Sequence, residues 1–283
     1  MKMLNNTEYE KVIPAIKAAD INTMFVLSVL EGKVEGKVFV DDLNYPAAYY
    51  ILHPYGMALL YGDIVKEDFR KELFSYLINE NKVRNRSEYL QVYPETLYPF
   101  MDNLLQDNLV KMGSGIGEIG KFIPVEDKRV QEYQRINFHF NLDKYLEFKQ
   151  SNKTTCDKIL ETSEVIYNQL DKGVVPKFFW NSYQDFNQYG IGYTLLTEKE
   201  YPASTAFASF VIDQRLEIGI ETDTKYQGLG YGALVGSKMI DYCIAKGYEP
   251  VWACSSKNIG SKKLAMKLGF EVSKIIPYYI LPI

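Results

Sequence analysis

Hydrophobic spacing changes period several times along the chain. Residues 47–61, "AAYYILHPYGMALLY", predict two short strands around a His53-Pro54-Tyr55-Gly56 turn. From Glu67 to Asn79, Phe69, Leu73 and Leu77 recur at i, i+4 and i+8, the signature of a helix with one buried face. "EYLQVYP" (88–94) reads as a strand and "TLYPFMDNLLQDNL" (96–109) as a helix, with Pro99 tolerated in its first turn. Ile136, Phe138 and Phe140 alternate in a strand over 135–142. The polar stretch 143–157 suits a domain junction. An amphipathic helix is predicted over 156–173, ended by Gly173, and a short one over 181–188. Strands are predicted at 189–197 and 203–212, with Tyr201-Pro202 in the turn between them.

Beyond Leu216 the pattern carries chemistry. In "RLEIGIETD" (215–223), Leu216, Ile218 and Ile220 alternate with Glu217, Gly219 and Glu221, so a strand presents two carboxylates on one face. That face is either in water or turned to a polar cleft. "TKYQGLGYGALVGSKMIDYCIAKG" comes next, with Leu229, Ala233, Gly236, Ile240 and Ile244 at helical spacing. A helix therefore begins within the glycine run and ends at Gly247. Its first N–H groups have no carbonyl partner and carry partial positive charge, and glycine lets a bulky anion approach them. A second run, "GSGIGEIG" (113–120), spells G-x-G-x-x-G through Gly115, Gly117 and Gly120. No helical period succeeds it and Pro124 intervenes, so it reads as a loop rather than a dinucleotide turn.

Composition narrows the classes. With 283 residues, 47% apolar and 24% charged, the chain suits either two modest domains or one large one. A net charge of −4 argues against a dedicated nucleic-acid binder. The three cysteines, Cys156, Cys243 and Cys254, have no paired spacing, and the two histidines, His53 and His139, have no ligand partners nearby in sequence. No metal site and no His-based triad is expected. The N-terminus lacks an apolar leader and no run of about 18 apolar residues occurs, so a cytoplasmic location without membrane contact is the default.

The glycine run and the segment beyond it resemble a known family. Gln227, Gly228, Leu229, Gly230, Tyr231 and Gly232 match the Q/R-x-x-G-x-G/A motif of the GNAT superfamily of acyl-CoA-dependent N-acyltransferases. "WACSSKNIGSKKLAMKLGFEV" (252–272) resembles that family's second motif through Asn258, Ser261, Leu264, Lys267, Leu268, Gly269 and Phe270. The wider pattern, "FFWNSYQDF", "EIGIET", "YEPVWACSSKN" and a closing "YY", is similar to the zwittermicin A resistance branch, in which an extra N-terminal domain precedes the transferase. The resemblance implies an α/β architecture. A GNAT fold, a twisted mixed β-sheet flanked by helices, would span 149–283 and come after an N-terminal α/β domain at 1–148.

The same resemblance implies roles. The strand through Ile220 and Thr222 would pair its backbone with the pantetheine arm of acetyl-CoA. Amides from Gln227 to Gly232 would hold the pyrophosphate. Asn258, with Ser261 beside it, would contact the pantetheine or thioester; Asn258 also suits a helix N-cap, and the two roles are compatible. Glu217, then Glu221, are the candidate bases for a small primary amine, although both suit solvated carboxylates equally well. Many family members place a tyrosine after the leucine of the second motif, and Ala265 stands there instead. Tyr278 or Tyr279 could serve as the acid, or simply pack. The expected function is acetyl-CoA-dependent N-acetylation of a small amine; the alternative is an acyl-CoA-binding sensor without turnover.

Overall fold

The computed structural model describes residues 1–112, 128–152 and 158–283. The "GSGIGEIG" loop and the start of the expected 156–173 helix lie outside these residues. The chain divides into two compact units: Met1–Ile136 with Ser255–Lys257 and Lys274–Ile283, and Asn137–Cys254 with Asn258–Ser273.

In chain order the first unit opens with β1 (Lys2–Met3), α1 (Ile13–Lys17), α2 (Met24–Leu30), β2 (Lys37–Val40), β3 (Ala48–Leu52) and β4 (Met57–Gly62). It continues through α3 (Glu67–Leu77), β5 (Glu88–Tyr93), α4 (Leu97–Leu105), β6 (Leu109–Lys111) and β7 (Val130–Phe140). β1 to β4 pair antiparallel in sequence order, and β5 joins β4 in parallel after the α3 crossover. Alternation sends Tyr50, Ala58, Leu60, Leu90 and Val92 to one face. There they meet Phe69, Leu73 and Leu77 of α3 and Leu97, Met101 and Leu105 of α4. Both helices thus use one stripe repeating every four residues, as expected for α3.

The second unit runs α5 (Leu142–Ser151), β8 (Ile159–Glu161), α6 (Glu164–Gln169), α7 (Tyr183–Tyr189), β9 (Gly192–Leu196), β10 (Pro202–Ile212) and β11 (Arg215–Thr222). After these come α8 (Tyr231–Lys246), β12 (Glu249–Ser255), α9 (Ile259–Lys267) and β13 (Phe270–Leu281), whose end pairs with β5 of the first unit within that unit. β8, β9, β10 and β11 are antiparallel neighbours, and β12 joins β11 in parallel after α8. From β8 to α9 the order of strands and helices repeats that from β1 to α4. The two mixed sheets flanked by helices have the α/β architecture expected from sequence.

Three readings are corrected. The amphipathic stretch from 158 is not one helix: Ile159, Leu160 and Glu161 pair with Leu195, Thr194 and Tyr193. Helix starts anew at α6, where Ser163 Oγ accepts from the Ile166 N–H. Gly173, expected to cap that helix, lies beyond the end of α6 with φ +77°. The polar stretch from 143 is helical to Ser151, because Tyr145 is buried and its hydroxyl donates to Asp241 Oδ1 at 2.6 Å on α8.

Candidate active site

Pairing between β11 and β12 stops early. Arg215, Leu216 and Glu217 lie opposite Glu249, Pro250 and Val251, and beyond that register the strands run on without pairing to each other, β11 as far as Thr222. On its other edge β11 stays paired with β10 up to Ser204↔Thr222. A wedge therefore opens along one edge of β11, leaving main-chain N–H and C=O groups available to an extended guest. A bulge in β10 lies at the same level, since the register shifts between Ala208 and Phe210 opposite Ile218 and Glu217. Bulges bend and twist a strand pair, which suits the divergence at this point. Gly219 makes room for the bulged strand: a Cβ there would stand 2.3 Å from Ser209 Oγ and 2.6 Å from the Phe207 ring.

The wedge leads to the glycine run. Asp223 Oδ1 accepts from the Lys225 N–H to start a short 3-10 turn, and Gln227 Nε2 donates to Thr222 O at 3.2 Å. Gly228 and Gly230 take φ +80° and +82°, a region that side chains with a Cβ rarely enter. A Cβ on either would meet nothing within 4 Å, so the chain is open to a guest there. α8 begins at Tyr231 with neither a side-chain cap nor an acidic residue in its first turn. Its leading N–H groups are thus left for an anion. Gly232 has another reason: a Cβ would press Leu264 at 3.2 Å and Thr222 Oγ1 at 3.3 Å, so this glycine lets α9 approach. Tyr226 and Tyr231 stack beside the loop, their ring centroids 6.2 Å apart.

The helix itself is rotated from its expected register. Ala233, Gly236 and Ile240 are buried as expected, but so are Val235, Met239 and Cys243, whereas Leu229 precedes the helix and Ile244 is exposed. Gly247 ends α8 with φ +74°, as the sequence suggests. Cys243 and Cys254 are both buried, and burial pushes the Cys243 thiol up to about 12. They are core residues, not nucleophiles.

The carboxylates of β11 differ. Glu217 is buried, 5% exposed, at the last paired position of the wedge. Glu221, four residues along the same face, is half-buried, and its Oε2 accepts from the Val174 N–H at 2.8 Å. The face is therefore turned inward and not into bulk water. Ile220 packs under α8 near Gly232 and Gly236, and Thr222 Oγ1 bonds Ser204 Oγ at 2.8 Å. Asn258 Oδ1 accepts from the Ser261 N–H at 2.9 Å, the N-cap arrangement, and Ser261 Oγ accepts from Trp252 Nε1 at 3.1 Å. That second bond ties α9 to β12.

Tyr278 belongs to the first unit, where it lies opposite Gln91 on β5. Its ring stacks on Tyr89 and carries the Arg135 guanidinium 5.4 Å from its centroid. Burial pushes its hydroxyl up to about 12. Tyr279 packs in the core of that unit, and Ala265 is fully buried on α9. Among the described residues no group of three or more His, Cys, Asp or Glu could hold a metal. No described helix is long and apolar enough to cross a membrane.

Sequence reasoning missed the partner of Glu221 and the β10 bulge. Positive φ at Gly173 is the structural sign of the first, whereas the sequence offers its glycine as a helix stop. The bulge leaves no compositional mark.

A parallel strand pair that splays at a buried carboxylate, leading into a glycine-rich helix N-terminus, defines the class: the chain belongs to the GNAT acetyltransferase family, whose model matches residues 16–279. A curated relative is an uncharacterized N-acetyltransferase, YdfB, of Bacillus subtilis (strain 168), 25% identical over 256 residues, which cover 90% of this chain and 89% of the relative. In fold, the chain is similar to a GCN5-related N-acetyltransferase-like protein from Streptococcus suis 89/1591. There the TM-score is 0.69 at 19% identity, covering 98% and 100% of the two chains. It is also similar to a tandem GNAT protein from the clavulanic acid biosynthesis pathway, with TM-score 0.57 at 10% identity over 99% and 97% of the chains.

Proposed function

We propose that this protein moves the acetyl group of acetyl-CoA to the primary amine of a small molecule by direct attack on the thioester. The observation that carries the reading is the wedge beside β11 running into the open glycine cradle of α8. A pantetheine arm suits the free strand edge, and a pyrophosphate suits the uncapped helix N-terminus. The proposed acyl-CoA contacts are the main chain of Ile220 and Thr222, the amides from Gln227 to Gly232, and Asn258 with Ser261. The acyltransferase part is assigned to 149–283.

The acceptor must lose a proton to react. An amine with a pKa of about 10.4 is free base in only about one molecule in 2,500 at pH 7. Glu217, buried where the strands part, is the proposed base, directly or through a water. The amine nitrogen bonds to the acyl carbon, the carbon–sulfur bond breaks with its electron pair on sulfur, and the proton goes to the Glu217 carboxylate. Main-chain N–H groups along the open edge of β11 stabilise the oxygen as charge develops on it. α9 offers no acid, since Ala265 stands where many relatives carry tyrosine. A thiolate is a good enough leaving group for the transfer to proceed without one.

The test is thiol release from acetyl-CoA across a panel of small amines, with Glu217→Gln alongside. Turnover that depends on Glu217 is the expected result. Tight acetyl-CoA binding with no turnover on any amine would favour a sensor that has kept the acyl-CoA site and lost the reaction.

A further inference from the structure

β11 carries two carboxylates on one face, and the structure gives them different surroundings. Glu221 meets the segment just beyond α6. That segment is anchored at both ends by apolar side chains, Leu170 and Val175, which pack with Ile166. Between the anchors, Asp171, Lys172 and Gly173 are exposed. The Glu221 carboxylate reaches into this span, Oε2 accepting from the Val174 N–H at 2.8 Å. It occupies the room that Gly173 leaves: a Cβ on Gly173 would stand 2.1 Å from Oε2 and 2.5 Å from the carboxyl carbon. Gly173, at φ +77°, is thus the residue that allows the carboxylate in.

The same segment borders a cavity of about 670 Å³, in the size range of small-molecule sites. Its lining includes Leu170, Gly173 and Val175 from this segment and Ser204, Glu221 and Thr222 from the strands, with Tyr201 just before β10. A hydrogen bond from a main-chain amide to a carboxylate is charge-assisted and among the stronger ones. It holds the wall of this cavity to β11, across 47 positions of sequence.

We propose that Glu221 is a positioning residue that latches 171–175 as a wall of this cavity, which would take the body of the acceptor, leaving proton transfer to Glu217 four residues back along β11. The proposal rests on the acetyltransferase reading for the cavity's occupant, whereas the latch stands on the Glu221–Val174 bond. Chemistry separates a latch from a base. A glutamine at 221 still offers an oxygen to the Val174 N–H but cannot take up a proton at neutral pH. An alanine loses both functions.

The experiment compares Glu221→Gln and Glu221→Ala with the parent in two ways. The first is the rate of tryptic cleavage after Lys172 in the intact, folded chain. The second is the amine KM and kcat at saturating acetyl-CoA. Glu221→Gln keeps a weaker, neutral bond, so it is expected to raise cleavage and the amine KM by less than Glu221→Ala does, with kcat within about twofold of the parent. Glu221→Ala is expected to raise cleavage and the amine KM by about tenfold each, the effect of losing a hydrogen bond to a charged group, with kcat within about twofold. A kcat that falls by more than about tenfold in both Glu221→Gln and Glu221→Ala would overturn the proposal, since it marks a base. Cleavage unchanged in Glu221→Ala would also overturn it. Should the parent turn over no amine, the acetyltransferase reading fails by itself and the cleavage rates still decide the latch.

Discussion

Glu217 lies opposite Val251 at the last register position that β11 and β12 share. The carboxylate therefore stands at the apex of the wedge, with paired backbone behind it and free strand edge ahead. Its 5% exposure keeps bulk water from competing for the proton it would accept. Glu217→Gln keeps the shape of the side chain and removes its basicity. It is expected to lower kcat by at least about 100-fold, with acetyl-CoA affinity within about twofold of the parent. Steady-state kinetics and calorimetric titration check the two halves, and an unchanged kcat would remove Glu217 from the mechanism.

Gly230→Val tests the cradle. The glycine faces open space at φ +82°, so a valine both fills the anion's approach and strains the backbone. Acetyl-CoA affinity is expected to fall by at least about tenfold, or about 1.4 kcal/mol. Gly230→Asn separates the causes, because asparagine tolerates the left-handed backbone yet still projects a side chain. Both variants are expected to bind weakly, with only the valine lowering the thermal midpoint. Parent-like binding in both would mean that no pyrophosphate sits there.

Local features were legible and long-range ones were not. The turn at His53–Gly56, the stripe Phe69–Leu73–Leu77 and the glycine run each encode their geometry within about ten residues, and each stands where the sequence puts it. Residues 159–161 have the apolar spacing of a helix, and only their pairing with 193–195 makes them a strand. Helix α2, Met24–Leu30, is buried on every side, so it shows no polar face to mark its period. The β10 bulge and the Glu221–Val174 bond depend on partners far away in sequence. The repeated order of strands and helices was hidden because it is a likeness of topology, with no repeat in the residues.

His53 makes stability depend on pH. It is fully buried, its Nδ1 accepts from the Tyr55 N–H at 3.0 Å, and burial first, then Arg86, lowers its pKa to about 3. The folded chain holds this group neutral, whereas the unfolded chain protonates it near pH 6.5. Its contribution is therefore complete above about pH 6.5 and is lost as pH falls toward 3, by up to about 1.4 kcal/mol per unit. In urea unfolding at pH 7 and pH 5, the parent is expected to lose more stability than His53→Gln, which has nothing to protonate. Equal losses would mean that His53 does not contribute to the acid sensitivity.

The first unit repeats the order of elements yet lacks the wedge. β4 and β5 stay in parallel register over five positions, from Met57↔Tyr89 to Tyr61↔Tyr93, where β11 and β12 have parted after three. The segment between β4 and α3, 63–66, has no glycine, and a Cβ on Gly62 at the end of β4 would come 2.1 Å from Ala47 O, so that glycine serves close packing. Glu67 and Asp68 fill the first turn of α3 with negative charge, which complements the helix dipole and repels phosphate. Among the described residues of the first unit, the closed strand pair and the acidic helix start do not form a cradle like that at α8. Calorimetric titration with acetyl-CoA is expected to give one site per chain, and the Gly230→Val chain is expected to keep no tight site. Two equivalents per chain, or a tight site that survives Gly230→Val, would place a working cradle in the first unit despite its closed strands.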